Sequence, residues 1–191
     1  PNFVCLDLQT AGRGGWPVLT AAEPVEPLRF LEGQALAAAF YVHELILRAL
    51  RPEEAMPGLF LDYWKSLAML ETPEIPLSVV VRRFERQLLM HLGAGVDWTR
   101  DVTGAVIDPS VDYRVGRQGG IVPGGGRGAV PGRVLLAIGD DRELDAPADR
   151  RAARDLMQSL LASHVGQAPF VSRRLWPTGS AAGHASPGRT P

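Results

Sequence analysis

The sequence predicts a mainly α protein built around a bundle of four long helices. Two observations predict this class. Apolar residues recur at a spacing of three and four positions over four long segments, most of which begin or end at Pro or Gly. Strand-like alternation is confined to residues 3–20 and to a Gly-rich segment between the third and fourth long helices. At 191 residues, the chain is long enough to bury a substantial core.

The first elements along the chain are two short strands around a glycine turn. Val4, Leu6 and Leu8 alternate with more polar neighbours, which is the two-residue period of a half-buried strand. Two strands alone are only marginally stable in water. We therefore expect this pair to be the end of a larger sheet.

Four long helices follow the strands. The first, 34–50, is apolar on nearly all sides, which predicts a central position in the bundle. The second, 57–70, and the third, 77–92, are amphipathic. The fourth starts near residue 145, has Pro147 in its first turn and ends at Gly166, as expected from the preferences of proline and glycine for these positions.

A loop-rich segment, 93–132, separates the third long helix from the fourth. We predict two short strands within it, at 113–115 and 120–122. A short helix, 133–138, follows the Pro-Gly pair that ends the segment.

Composition excludes several classes of protein. A formal net charge of −1 argues against nucleic-acid binding over the whole surface, so any contact with a polyanion must come from a local cluster. Cys5 is the only cysteine, which rules out an intramolecular disulfide and a cysteine-based zinc site and fits a reducing cytoplasm. No apolar run approaches the roughly 20 residues of a membrane span.

We find no recognisable active site in the sequence. HELIL, from His43, begins like a zinc-protease motif, but Leu47 stands where the second histidine is needed. We expect His43 to pack at the edge of the core and Glu44 to form an i,i+4 ion pair with Arg48. The sequence therefore gives no basis for a metal at this helix.

Two further motifs also lack a feature that their function requires. GGGRGA, 124–129, lacks the following helix that a dinucleotide site requires and is predicted to be a loop. Ser159, Ser163 and His164 lie near one another, but no nucleophile elbow accompanies them. We predict a protein that is not an enzyme and that needs no cofactor.

Three arginines stand out in the third helix: Arg82, Arg83 and Arg86. We expect them on the face opposite the apolar one, where they are either ordinary solubilising charge or an anion-binding ridge. Because Lys65 is the only lysine, the excess of arginine is mostly compositional. Apolar residues nearby, including Leu61 in the preceding helix, favour a site for an acidic, hydrophobic peptide tail at least as much as one for DNA.

Five blocks occur in order along the chain: TAAEP (20–24), FYVHELILRAL (40–50), LFLDYWKSLAML (59–70), VVRRFERQLLMHLGAGVD (80–97) and APFVSRRLW (168–176). This order resembles the RecO family, bacterial recombination mediators that act in DNA repair. The resemblance covers most of residues 3–176. Its most specific part is a Tyr-x-x-Glu-Leu helix followed by an Arg-Arg-Phe-Glu helix.

The resemblance implies a division of the chain into parts. Residues 1–27 would be the C-terminal remnant of an N-terminal OB-fold, about two strands of a five-stranded barrel. Residues 28–92 and 133–176 would form a central helical domain. Residues 93–132 would form a zinc-finger-like insertion, and 177–191 a disordered tail.

The resemblance also implies partners. Members of the family bind single- and double-stranded DNA and anneal complementary strands. With RecR they help RecA to load onto DNA covered by single-stranded-DNA-binding protein. The helical domain receives the acidic C-terminal tail of that binding protein at a basic and apolar site.

Site residues follow from this resemblance. Arg82 and Arg83 fall on the basic motif, and we add Arg86 and Leu61 as predicted tail-binding residues, although relatives can carry an apolar residue at the position of Arg86. Phosphate contacts are predicted at three further arginines, each with surface charge as the alternative: Arg13, Arg173 and Arg174.

The chain departs from the family in two respects. Many relatives hold zinc with four cysteines in the segment that matches 93–123, whereas this chain has none there, so we expect packing and turns to stabilise the segment without metal. Only about two strands of the barrel are present, and unpaired strand edges favour aggregation. We expect that the start of the protein is missing, with strands from another chain as the alternative.

Two classes of function stay open. The first is a DNA-annealing recombination mediator of the bacterial cytoplasm, associated with the nucleoid. The second is a protein-interaction module that docks an acidic tail without binding DNA itself. Without the front of the barrel, we expect weak DNA binding that modest salt abolishes.

Overall fold

The computed structural model describes residues 3–12, 16–25, 30–52, 54–116 and 118–176. Five α-helices and two small antiparallel sheets make up this part of the chain, in agreement with the predicted mainly α class.

The first sheet is a two-stranded ribbon of β1 (Leu6–Ala11) and β2 (Val18–Pro24). The strand pair is therefore confirmed. The prediction of half-buried strands is wrong, because Leu8 and Val18 are 55% and 65% exposed and nothing in the described residues covers either face. No other described strand pairs with the ribbon, so its assignment to an OB-fold stays a prediction.

The predicted helices are all confirmed, with bounds that differ by at most a few residues. The long helices are α1 (Gly33–Ala49), α2 (Pro57–Leu70), α3 (Leu77–His91) and α5 (Pro147–Val165), and the short helix is α4 (Gly132–Gly139). Both α2 and α5 have proline in the first turn, where its missing N–H costs no intrahelical hydrogen bond.

The core lies where α1, α3, α4 and α5 meet. Each of the four helices contributes large side chains with almost no exposed surface: Leu45, Phe84, Leu88, Leu135, Ile138, Met157 and Leu161. Ala38 and Ala39 of α1 are fully buried beside Leu67 and Val80, so α1 packs closely against α2 and α3. The predicted central position of α1 is confirmed.

The segment between α3 and α4 folds onto this core. Its three short strands are β3 (Asp112–Val115), β4 (Ile121–Pro123) and β5 (Val130–Pro131), in the order β4-β3-β5. The first two confirm the predicted strands, and the pairing of β5 is an addition. Trp98 and Ile107 are buried in the same core cluster as the helices, which fixes the segment to the bundle.

Aspartate-centred turns stabilise this segment. In three places an aspartate carboxylate accepts hydrogen bonds from the backbone N–H and the hydroxyl of the residue two positions on, which lowers the pKa of that carboxyl group: Asp97 with Thr99, Asp101 with Thr103, and Asp108 with Ser110. Within the described residues no group of three or more metal-ligating side chains is placed to bind an ion. That the segment takes no metal stays a prediction.

Gly132 marks the tightest contact between the segment and α4. Its N–H donates to the Val111 carbonyl at 2.8 Å, and a Cβ at this position would lie 2.0 Å from the Asp108 carbonyl oxygen. We expect Gly132→Ala to lower the free energy of unfolding by about 1–3 kcal/mol, because the backbone must move to admit the methyl group.

Urea denaturation measures this effect, with Gly125→Ala as the matched control. A Cβ at Gly125 meets nothing within 4 Å, so the control should change the free energy of unfolding by less than about 0.5 kcal/mol. Equal destabilisation by the two substitutions would contradict the proposed contact.

Candidate binding groove

A groove of about 880 Å³ lies between α1, α3, α5 and a 3₁₀ turn at Ser172–Leu175. Its lining comes from all four elements: Gln34, Tyr41, Leu77, Ser78, Val81, Arg82, Glu85, Arg150, Arg154, Asp155, Gln158, Arg173 and Trp176. We refer to this set as the arginine groove. Its volume lies within the usual range for ligand sites in proteins.

Charge and apolar surface meet in the arginine groove. Four guanidinium groups face two carboxyl groups: Arg82, Arg150, Arg154 and Arg173 against Glu85 and Asp155. Leu77, Val81 and Trp176 add apolar surface beside them. Such a groove suits an elongated ligand that carries both negative charge and an apolar anchor.

Arg82, one of the predicted site residues, lines the groove. It is only 8% exposed, and its Nη2 donates to the Arg142 carbonyl at 3.2 Å. Burial lowers the pKa of its guanidinium. The expectation of three arginines on a solvated helix face is therefore wrong for Arg82, because the loop between α4 and α5 covers this side of α3.

Arg83 and Arg86 contact the end of α4 and the α4–α5 loop instead of lining the groove. Arg86 donates to the Gly139 carbonyl at 2.7 Å and to Asp141 Oδ1 at 2.8 Å, while Arg83 Nε lies 3.8 Å from Asp141 Oδ2. Asp141 thus neutralises part of their charge. The three neighbouring arginines do not form one continuous ridge.

The other predicted site residues do not share one location in the structure. Arg173 lines the groove, whereas Arg174 is exposed and not part of the lining. Leu61, on α2, is 56% exposed and also lies outside the groove. Arg13 lies outside the described residues.

Glu85 is a groove residue that reasoning from the sequence missed. Its Oε1 accepts a hydrogen bond from the Tyr41 hydroxyl at 2.6 Å, and burial raises the pKa of its carboxyl group to about 7 although Tyr41, Arg82 and Arg173 lower it. A signal was present, because Glu85 occupies the apolar face of α3 between Val81 and Leu88.

The two arginines of α5 were missed as well. Arg150 and Arg154 are one turn apart, so both point to the same side of that helix. Nothing in the sequence indicates that this side faces α3. That follows only from the packing of α5 against the bundle.

A pair of charged residues on α1 brings the end of the chain to the groove. Glu44 accepts the N–H groups of Val171 and Ser172 at 3.0 and 2.9 Å. Arg48 donates to the carbonyls of Ala168 and Pro169 at 2.6 and 2.8 Å. The predicted ion pair of Glu44 with Arg48 is confirmed, and its role is to anchor the segment that carries Arg173 and Trp176.

The fold and the groove define an α-helical protein with a basic, partly apolar binding site. A family model described as "Recombination protein O C terminal" (RecO_C) matches residues 31–174, which include all of the groove except Trp176.

Curated relatives agree with this match. The chain is 35% identical over 176 residues to the DNA repair protein RecO of Stutzerimonas stutzeri. These aligned residues cover 91% of this chain and 74% of the relative. It is 37% identical over 177 residues to the protein of the same name from Vibrio vulnificus, covering 91% and 72% of the two chains. The chain belongs to the RecO family. Within the described residues, no helix is long and apolar enough to cross a membrane.

The anchoring of the C-terminal segment can be tested at Glu44. Burial alone would raise the pKa of Glu44, but hydrogen bonds from Ser172, Val171 and Arg48 lower it to about 2. A depressed pKa means that the stabilising contribution is present above the ordinary value of 4.5 and is lost as pH falls towards 2. We therefore expect the segment to detach in that acidic range.

At neutral pH, Glu44→Ala should speed amide hydrogen exchange at Val171 and Ser172 by about 10- to 100-fold, since hydrogen bonds to charged groups contribute about 1.5–3 kcal/mol. Exchange measured by NMR or mass spectrometry gives the rates. Glu74→Ala, at an exposed position between α2 and α3, is the control and should leave them unchanged. Equal rates in the Glu44 variant and the wild type would mean that Glu44 does not anchor the segment.

Proposed function

We propose that the protein is a recombination mediator in bacterial DNA repair. Membership of the RecO family supports the DNA-repair role. In this proposal it binds single- and double-stranded DNA and promotes annealing. Together with RecR, it helps RecA to load onto single strands covered by single-stranded-DNA-binding protein. The observation that carries the proposal is the arginine groove, which lies almost wholly in the segment matched by the family model.

The arginine groove is the proposed docking site for the acidic tail of single-stranded-DNA-binding protein. Guanidinium groups of Arg82 and Arg173 suit the tail carboxylates, since charge-assisted pairs of this kind are strong and directional. Leu77, Val81 and Trp176 suit an aromatic or aliphatic anchor at the tail's end. The combination explains why a nearly neutral chain can still select an anionic partner.

The remaining predicted tail-binding residues take different roles in this proposal. Arg86 supports the site by hydrogen bonding to Asp141 of the α4–α5 loop, whose Arg142 carbonyl accepts a hydrogen bond from the Arg82 guanidinium. Arg83 makes only a longer contact with that loop, 3.8 Å from its Nε to Asp141 Oδ2, and lies outside the groove. Leu61 makes no direct contact with the tail, because it lies outside the groove lining.

DNA contacts are proposed at the C-terminal segment. Arg174 is exposed and next to Arg173, so the two can approach a phosphate chain that passes the end of the groove. Arg13, which lies outside the described residues, remains a third candidate. Because Arg173 also lines the groove, DNA and the tail share one arginine in this scheme.

The division of the chain is part of the same proposal. Residues 1–27 belong to an OB-fold, 28–92 with 133–176 to the helical domain, and 93–132 to a zinc-free insertion. The residues from 177 onward lie outside the described part of the chain. The proposed place of action is the cytoplasm, at the nucleoid.

A second candidate function is a protein-interaction module that does not bind DNA itself. The observation in its favour is that the arginine groove is formed without any residue of the β1–β2 ribbon. Separate titrations with labelled single-stranded DNA and with a short acidic peptide ending in phenylalanine distinguish the two. Binding of the peptide alone, even at low salt, would favour the module.

Arg82 and Arg83 provide a matched pair for testing tail capture. We expect Arg82→Gln to weaken binding of the acidic peptide by about tenfold or more, because a charge-assisted contact is lost. Arg83→Gln removes the same charge outside the groove and should weaken binding by less than about threefold. Fluorescence anisotropy of the labelled peptide measures both affinities.

Because Arg82 is buried, its substitution can also disturb the fold. Arg154→Gln, at an exposed groove position, tests the groove without that complication and should weaken the peptide complex as well. If the Arg83 variant loses as much affinity as the Arg82 variant, the tail does not bind in the groove.

The DNA contacts predict a change in salt dependence. Each phosphate contact to a single strand contributes about 0.7 to the slope of log K against log salt. We expect Arg174→Gln to reduce this slope by about 0.7 and to leave peptide affinity unchanged, while Arg173→Gln affects both ligands. Arg100→Gln, in the insertion, is the charge-matched control for DNA binding. A slope that is unchanged in the Arg174 variant would remove this residue from the DNA site.

A further inference from the structure

Attraction of an acidic ligand does not account for one group in the arginine groove, the carboxyl of Glu85. It lines the groove between positive side chains, yet it is buried on α3 and hydrogen-bonded to the Tyr41 hydroxyl at 2.6 Å. A carboxylate at this position repels an anionic ligand, whereas a protonated carboxyl group does not. The protonation state of Glu85 therefore changes the net charge that a ligand meets.

Charged and titratable groups that act on Glu85, or on its neighbours Tyr41 and Arg82, or line the groove beside it, come from every element around the groove. They are Tyr41 and Glu44 on α1, Arg82 on α3, Asp141 and Glu143 in the α4–α5 loop, Arg150, Arg154 and Asp155 on α5, and Arg173 in the 3₁₀ turn. Arg82 and Arg173 are the cations whose fields reach the Glu85 carboxyl most strongly. An anionic ligand would bind to the same two guanidinium groups.

We propose that the arginine groove is a proton-coupled binding site, in which a ligand carboxylate that settles against Arg82 and Arg173 enters together with a solvent proton taken up by Glu85. This inference rests on the proposed capture of an acidic tail in the same groove. The proton neutralises the Glu85 carboxylate, and no covalent bond to the ligand forms or breaks.

The physical reason is competition for the same positive charge. In the empty groove, Arg82 and Arg173 stabilise the Glu85 anion against the cost of burial, and the resulting pKa of about 7 leaves this carboxyl group partly protonated at neutral pH. A ligand carboxylate neutralises both cations and adds its own repulsion. Both effects raise the proton affinity of Glu85, so occupancy of the groove and protonation favour each other.

Other groups in the groove do not provide this response. Arginine side chains keep their protons throughout the neutral range. Burial, followed by the nearby Glu85 charge, raises the pKa of Tyr41 still further from neutrality. No histidine is found among the groove-lining residues that the structure describes. A proton taken up near neutral pH is therefore assigned to Glu85.

Affinity as a function of pH is the first test. The probe is a labelled synthetic peptide with several aspartates and a C-terminal phenylalanine, titrated into the wild-type protein at constant ionic strength. We expect affinity to fall by about tenfold between about pH 6 and pH 8.5, the change that corresponds to a rise of one pKa unit in Glu85 on binding. Affinity that is constant or rises over this range would overturn the proposal.

Calorimetry of the same complex measures the proton directly and needs no variant. In buffers of different ionisation enthalpy at about pH 7.5, the observed binding heat should change in proportion to the protons taken up. A binding heat that is independent of the buffer would contradict proton uptake. Absence of any peptide binding would overturn both this inference and the proposed tail capture, whereas binding without proton uptake overturns this inference alone.

Two variants assign the proton to Glu85. Glu85→Gln keeps the shape and an acceptor for the Tyr41 hydroxyl, and it should bind the peptide with the same affinity at all pH values and without proton uptake. Asp155→Asn removes the other groove carboxylate, which is exposed, and should leave the pH dependence in place. Loss of the pH dependence in the Asp155 variant, or its persistence in the Glu85 variant, would assign the proton elsewhere.

Discussion

The arginine groove depends on a clamp between two charged side chains of α1 and the backbone of the C-terminal segment. Glu44 accepts two backbone N–H groups of this segment, and Arg48 donates to two of its carbonyls. The two helical residues lie more than 100 positions before the groups that they bind, as the smallest separation is 120 residues. The ring of Phe170 packs against Tyr41 of the same helix, with centroids 5.0 Å apart, so the clamp and this apolar contact together hold the segment that brings Arg173 and Trp176 to the groove.

Stability and the proposed binding role make opposite demands on α3. A helix in this position could be stabilised by apolar residues alone, yet it carries Arg82 and Glu85 on its covered side. Burying charged groups is costly unless hydrogen bonds and opposite charges compensate for the lost water. The hydrogen bond from Tyr41 and the carbonyl of Arg142 offset part of the cost.

Helix positions could be read from the sequence because they depend on local signals. Apolar spacing, prolines in first turns and glycines after last turns occur within a few residues of the boundaries that they define. The two short strands predicted at 113–115 and 120–122 could be read from the sequence for the same reason. Burial of the first strands could not be read in this way, because alternation reports one apolar face but not whether anything packs on it.

By itself, the sequence determined the mainly α class, the helix order, the Glu44–Arg48 pair and the resemblance to the RecO family, all of which are encoded in short stretches of chain. Only the tertiary structure decided which charges share a site. It separated Arg82 from Arg83 and Arg86, and it joined Arg82 to Arg150, Arg154 and Arg173 from distant parts of the chain. The physical reason is that the partner of each arginine is set by the element packed over it: Arg86 lies on the same side of α3 as Arg82 but one turn further along, where Gly139 and Asp141 accept its hydrogen bonds.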